Sequence, residues 1–160
     1  MKQKIRNAAL DDIPALKALY RDTIMVVNAV DYNTEQVRVW AETCERTDSL
    51  AKRIESQFFY VAELEYGKIV GFASFEEPDY LDMMYVHKYH QRQGIGCMLL
   101  ATIREKASEL GATRIVSEVS ITAKPFFEKY GFHVVQEQTV QVCGSGLTNY
   151  KMVFNMTQTR

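Results

Sequence analysis

The chain reads as an α/β (α+β) fold. It is expected to form three layers, with a mixed, mostly antiparallel sheet holding one central parallel strand pair and helices on both faces. Three observations predict this. Apolar, β-rich runs at 58–63, 69–75 and 80–86, separated by short turns, form an antiparallel meander. The last of these runs leads through a helical pattern into another apolar run at 114–119, and a strand–helix–strand unit of that length implies a right-handed crossover between parallel strands. Two further runs, 132–142 and 147–154, flank Cys143-Gly144-Ser145-Gly146 as a second hairpin. The 160 residues suffice for one domain burying roughly two thirds of its unfolded surface. The expected division is a single domain over 1–154 and a frayed tail over 155–160.

The elements follow in order. Lys4 to Ala8 is a short first strand. Asp11 or Asp12 is expected to cap the next helix, with Pro14 tolerated in its first turn and Ile13, Leu16, Tyr20, Ile24 and Val27 on its apolar face. Asn28 to Tyr32 breaks the pattern. Asn33 or Thr34 then caps a second helix carrying Val37, Trp40, Ala41 and Cys44, and a third short helix covers Asp48 to Ser56. After the meander, Ile95, Leu99, Ile103 and Ala107 recur every fourth residue with Leu100 and Leu110 at their flanks, the pattern of a helix packed on one side. Gly111 ends it. Thr122 is expected to cap a short helix with Pro125 near its start and Gly131 at its end.

The most informative stretch joins the third meander strand to the helix at Ile95: Gln91-Arg92-Gln93-Gly94-Ile95-Gly96. Glycines at a helix start leave the backbone open, so successive N–H groups can face one anion. First-turn amides lack intrahelical partners, and the helix dipole adds about half a positive charge. The result is a cradle of pyrophosphate size over Arg92–Cys97. A dinucleotide fingerprint would need a third glycine where Leu99 stands, and a phosphate-binding Walker loop would need Gly-Lys-Ser/Thr; neither is present.

The pattern Gln/Arg-x-x-Gly-x-Gly after a strand ending in Val86 resembles the acetyl-CoA loop of the GCN5-related N-acetyltransferases, the GNAT superfamily. The later Ala123-Lys124-Pro125-Phe126-Phe127-Glu128-Lys129-Tyr130-Gly131-Phe132 is similar to the closing helix-and-turn of the same superfamily. Ser120–Phe127 and Leu147-Thr148-Asn149-Tyr150-Lys151-Met152 are similar to the YafP-like subgroup. The resemblance spans nearly the whole chain and implies an acetyl-CoA-dependent N-acetyltransferase acting on a small-molecule or peptide amine by direct attack. It implies acetyl-CoA as cosubstrate and no metal. Met84, Tyr85, Val86, Gln91, Arg92, Gln93, Gly94, Ile95, Gly96, Cys97 and Phe127 are the cofactor residues it assigns, with the strand backbone around Met84 and Val86 pairing to the pantetheine arm. Superfamily bases commonly stand six and four residues before the terminal valine, here Tyr80 and Asp82. Asp82 is the expected catalytic group, sharing a strand face with Tyr80 and Met84 by alternation; Tyr80, Tyr32 and Trp40 fall on the acceptor side.

A base is useful because an alkylammonium of pKa ~10.4 is almost wholly protonated at neutral pH. One position departs from the superfamily pattern: Phe127 stands where a tyrosine protonates the leaving thiolate. Losing that acid costs up to ~10²–10⁴ in rate. Tyr130 lies one turn on but outside the motif position and is expected to pack away from the cofactor. Phe127 also motivates a second reading, a non-catalytic acetyl-CoA sensor or interaction module.

Composition narrows the classes further. A net charge of −1 gives no electrostatic case for nucleic acid. No apolar run approaches the ~18 residues of a membrane span. Three cysteines, an odd count without metal-ligand spacing, suit reduced thiols and a cytoplasmic location. Cys97 is expected to pack as a small residue under the cradle, His87 and His90 to be solvated loop residues, and Glu63, Glu65 and Lys68 to be a solvated turn face. Exposed sheet edges would allow a homodimer.

Overall fold

The computed structural model describes residues 3–43 and 47–156. Seven strands make one sheet: β1 (Lys4–Asn7), β2 (Phe58–Glu63), β3 (Ile69–Glu76), β4 (Tyr80–Val86), β5 (Arg114–Ser120), β6 (His133–Val142) and β7 (Ser145–Asn155). Their spatial order is β1-β2-β3-β4-β5-β7-β6. Every neighbouring pair is antiparallel except β4 and β5. The helices are α1 (Ile13–Val26), α2 (Thr34–Glu42), α3 (Thr47–Ser56), α4 (Ile95–Glu109) and α5 (Lys124–Lys129). Among the described residues no helix is long and apolar enough to cross a membrane.

The alternation within the strands sorts side chains to two faces. On one, α4 lays Ile95, Leu99, Ile103 and Ala107 against Ala73, Phe75, Leu81 and Ile115. Burying each large aliphatic side chain of that set stabilises the fold by about 1.5–3 kcal/mol. On the other, Leu16 and Leu19 of α1 and Leu50 of α3 cover Phe59, Phe72 and Met83. Farther along that face α2 packs Val37, Val39 and Ala41 with Tyr32 and Leu147. Leu110, expected at the flank of the α4 stripe, is exposed, because α4 has ended and the chain turns at Gly111 with φ of 76°.

Helix ends are less regular than expected. Asn33 caps α2, accepting from the Gln36 amide while the Gln36 side chain accepts from Asn33 N–H. Asp12 precedes α1 but does not cap it. A 3-10 turn over Leu10–Asp12 intervenes, and the Asp12 carboxylate turns back to the Ala9 N–H and the Arg6 guanidinium. Thr122 does not cap α5 either; Ala123 stands there, and its N–H donates to Ser120 Oγ. The second hairpin turns on Cys143 and Gly144 alone, both at positive φ (48° and 84°), so β7 begins at Ser145. Two left-handed residues match the strand twist in the tightest hairpin. Glu63 is not solvated, since Lys4 and Arg6 both pair with it and Arg6 bridges it to Asp12. Cys44, read as part of the second helix, lies outside the described residues. So do residues 157–160 of the expected tail, whereas Asn155 still belongs to β7 and Met156 N–H donates to Thr113.

One feature of the sheet opens the site. β4 and β5 pair only at Tyr80↔Val116 and Leu81↔Ser117, with Ser117 Oγ donating to the Leu81 carbonyl. Beyond Leu81 the two strands part.

Candidate acetyl-CoA cradle and acceptor cavity

The loop before α4 is built as the sequence suggests, and for a backbone reason. Arg92 and Gly94 take positive φ (60° and 85°), winding the chain so that Gly94 forms the N-cap. The first helical bond runs from Met98 N–H to the Gly94 carbonyl. Among the described residues none accepts a hydrogen bond from the amides of Gln91 to Cys97. Seven consecutive unpaired N–H groups at the positive end of a fifteen-residue helix form an anion cradle. A Cβ on Gly94 would meet nothing within 4 Å, so this glycine is required for its φ alone. Gly96 has another role. Its Cβ would lie 3.2 Å from the Phe126 ring, so the glycine lets α5 pack on the first turn of α4.

The other predicted cofactor residues divide by which atoms they can offer. Ile95 is buried, and it fits because Gly71 of β3 has no side chain: a Cβ there would stand 2.8 Å from Ile95 Cγ2. Gln91 uses its side chain on the protein, donating to the Val86 carbonyl at 2.6 Å, and that carbonyl also accepts from Thr23 at 3.0 Å. Gln91 therefore braces the strand–loop joint and offers only its backbone. The Tyr85 ring faces α1, 4.6 Å from the Tyr20 ring and 5.5 Å from Phe72. Met84 and Val86 point to the α4 face, with Met84 lining the opening between β4 and β5. Arg92 and Gln93 are exposed at the cradle. Cys97 is exposed rather than packed beneath it. Its thiol meets the Tyr130 hydroxyl, and this contact, with burial, raises the phenol above its ordinary range. Tyr130 meets the Phe126 ring at a tilt, centroids 4.8 Å apart, and is not among the residues lining the cavity.

Where β4 and β5 part, a cavity of about 450 Å³ lies between the strand ends, α1–α3 and β7. Tyr32, Trp40, Tyr80, Asp82 and Phe127 all line it. These five come from four separate segments of the chain, Phe127 from the residues expected at the cofactor and the others from those expected at the acceptor and its base. Phe127 is buried, edge-on to Phe132 at 5.0 Å. Tyr32 is held through its proton and one lone pair: its hydroxyl donates to the Thr148 carbonyl at 2.6 Å and accepts from Ile121 N–H at 2.9 Å. Burial raises its pKa. Its ring meets Trp40 edge-on at 5.3 Å. Burial likewise raises the Tyr80 phenol, reinforced by the Glu118 and Asp82 carboxylates.

Asp82 departs from the expected alternation. Ser74 pairs with Met83 and Phe75 with Leu81, so Asp82 is the extra residue of a β-bulge. The bulge reverses the alternation: Leu81 faces α4, yet Met83, two residues on, faces α1. Asp82 consequently points toward α3 rather than sharing a face with Met84. There Arg53 Nε donates to its Oδ2 at 2.7 Å and Gln57 Nε2 at 2.9 Å. Arg53 also holds Ser49. Neither Arg53 nor Gln57 was singled out in the sequence; Arg53 lies on the last turns of α3 and Gln57 just past its end, and only the fold shows that Asp82 reaches them. His87 and His90 touch each other at 5.1 Å, and no cluster of metal-ligating side chains exists among the described residues. Burial and neighbouring His90 lower the His87 pKa.

Comparison with known proteins gives the same architecture. A profile of the acetyltransferase (GNAT) domain matches residues 28–154. The uncharacterized N-acetyltransferase YafP of Escherichia coli (strain K12) is 32% identical over 149 residues, 93% of each chain. A GCN5-related N-acetyltransferase (Aminotransferase, Class-II) from Rhodopseudomonas palustris superposes with a TM-score of 0.93 at 29% identity, covering 98% of this chain and 97% of the other. The paiA N-acetyltransferase of Thermoplasma acidophilum, whose structure is a complex with coenzyme A, gives 0.81 at 19% identity, covering 98% and 100%. At that identity the likeness is one of fold.

Proposed function

The chain belongs to the GNAT acetyltransferase family, and from that premise we propose that it is an N-acetyltransferase moving an acetyl group from acetyl-CoA to the amine of a small molecule by direct attack. The observation carrying this reading is the run of unpaired amides from Gln91 to Cys97 at the head of α4, adjoining the gap between β4 and β5. That arrangement fits a pyrophosphate-bearing cosubstrate. The amides would bind the pyrophosphate, exposed Arg92 would add charge at its edge, and the open edge of β4 around Met84 to Val86 would pair with the extended arm. When bound, acetyl-CoA supplies the activated acyl group.

The chain's own residues would do the rest. The acceptor amine would enter the cavity between Tyr32, Trp40 and Tyr80. Asp82 would take its proton through Oδ1, since Oδ2 is engaged by Arg53 and Gln57. As the N–C bond forms and the C–S bond breaks, the departing sulfur needs a proton, and Phe127 has none to give. Tyr130 stands outside the cavity, so water is the donor in this reading. A thiolate leaves well enough for this omission to slow transfer without stopping it.

Phe127 also favours a second reading, a module that binds acetyl-CoA without turnover. Free CoA thiol measured with a thiol reagent, after mixing protein, acetyl-CoA and a panel of primary amines, separates the two. Amine-dependent thiol release is the expected result. CoA binding with no release for any amine would leave only the second.

A further inference from the structure

We propose that Asn149 is the specificity contact of the acceptor subsite and that the acceptor is an amine carrying a second, uncharged N–H or O–H donor. The proposal rests on the acetyl-transfer reading above and deepens it. Asn149 belongs to the Leu147–Met152 stretch, in which Leu147 and Met152 enter the core and Thr148 holds Tyr32, while the Asn149 side chain is left without a role. It lies on β7 between Ser120 of β5 and Gln138 of β6. Its side chain lines the same cavity as Asp82 and Phe127. Its Oδ1 is buried, and no donor among the described residues reaches it. A buried acceptor left unmet costs on the order of 1–3 kcal/mol, so native structures keep such a group where something else satisfies it.

The surroundings narrow the partner. On the α2 face Val140, Val142 and Leu147 stand beside Asn149. The carboxylates that line the cavity, Glu118 and Asp82, both act on Tyr80, so a ligand's second ammonium beside Oδ1 would be desolvated against these apolar groups and a neutral carbonyl. A neutral hydroxyl or amide N–H meets Oδ1 without that cost. The aromatic wall of Tyr32 and Trp40 would take the apolar body of the acceptor. At the far side, the Arg53–Asp82 pair is where the reacting amine would lose its proton. A bland alternative exists in Gln138, whose Nε2 is also buried without a partner directly across from Asn149; the two amides could serve each other alone.

The test compares kcat/KM for butylamine, aminobutanol and diaminobutane of equal carbon count, with acetyl-CoA, on the native chain and on Asn149→Leu, Asn149→Ala, Asn149→Asp and Gln138→Met. Sites built to hydrogen-bond a substrate group discriminate strongly against analogues lacking it. The expected native ratio of aminobutanol to butylamine is ~10–100, falling toward one in Asn149→Leu or Asn149→Ala and surviving in Gln138→Met. Asn149→Asp should turn the preference toward diaminobutane. A native ratio near one, a preference for diaminobutane in the native chain, or a ratio that persists in both Asn149→Leu and Asn149→Ala would overturn the proposal. So would loss of the ratio in Gln138→Met to the same degree, the mark of a pair serving structure. Calorimetry of the three amines on CoA-loaded protein covers the case of slow chemistry: no binding by any of them also overturns it. Failure to bind CoA at all would instead remove the acetyl-transfer reading.

Discussion

The two ends of the site are made in different ways. In the proposed function the cradle is one continuous stretch, 84–97, that would act through backbone groups; its side chains turn into the core, brace the loop or point outward. The acceptor cavity collects side chains from α1, α2, α3, β4, β5, α5, β6 and β7. A backbone site is tied to local conformation, so the residues that matter most are glycines that permit a φ or a close approach. A side-chain site is tied to packing between distant segments, so its residues are interchangeable in principle and carry selectivity. Such a division would let one fold keep its cosubstrate while changing its acceptor.

The sharpest way to break the contrast is Gly94→Val. The new Cβ meets nothing, yet a β-branched residue resists φ near 85°. CoA affinity measured by calorimetry should fall by ~100-fold or more as the amides lose alignment, with a stability loss of about 1–3 kcal/mol. Gly96→Ala should do less, acting through Phe126 at 3.2 Å instead. Equal and small effects of both would mean that the cradle is not a backbone site.

On the acceptor side, Asp82→Asn should leave CoA affinity unchanged and lower transfer by ~10²-fold, with a smaller loss at higher pH, where free amine is commoner. A pH-independent loss would assign Asp82 to fastening α3 through Arg53 and Gln57. Phe127→Tyr should raise the transfer rate by several-fold if its added hydroxyl faces the departing sulfur, while Tyr130→Phe leaves the rate at the native value. A slower, less stable Phe127→Tyr protein would show that the added hydroxyl falls against the Phe126 and Phe132 rings and not at the departing sulfur.

How much of this was legible in the sequence follows the same division. The four-residue repeat of Ile95, Leu99, Ile103 and Ala107 and the glycine pair before it are local signals, and α4 and its cradle follow from them. The hairpins likewise follow from short-range patterning. The Asp82 bulge does not, because a bulge is a property of two strands together and β4 alone reads as regular alternation. Its consequence, the pairing of Asp82 with Arg53, spans 29 residues. Gly71 carried a readable sign, a glycine inside a buried strand, which marks close backbone approach. Asn149 carried none beyond membership in a recurring motif, since an unmet carbonyl is visible only once its neighbours are placed.

A smaller effect sits away from both ends. The Arg6 guanidinium holds the Asp12 carboxyl below its usual range, against the opposing effect of burial, and the Ala9 amide adds to the lowering. A depressed carboxyl contributes stability that is present above its unfolded pKa, near ~3.9, and lost as pH falls through the folded value. Acid unfolding of Asp12→Asn should therefore show a weaker dependence on pH below about 4, and its stability at neutral pH should be lower by about 1 kcal/mol. An unchanged acid limb would remove the Arg6 cluster from the stability of the β1–α1 joint.

The most direct measurement of the central claim is the response of backbone amide resonances to coenzyme A. An anion held by unpaired N–H groups shifts those protons first. Titration of isotope-labelled protein should give its largest shifts at Gln91–Cys97, followed by Met84–Val86 along the open edge of β4, with little change in α2 or around Asn149. Shifts centred on the cavity around Trp40 and Asn149, with the Gln91–Cys97 amides unmoved at saturation, would contradict it.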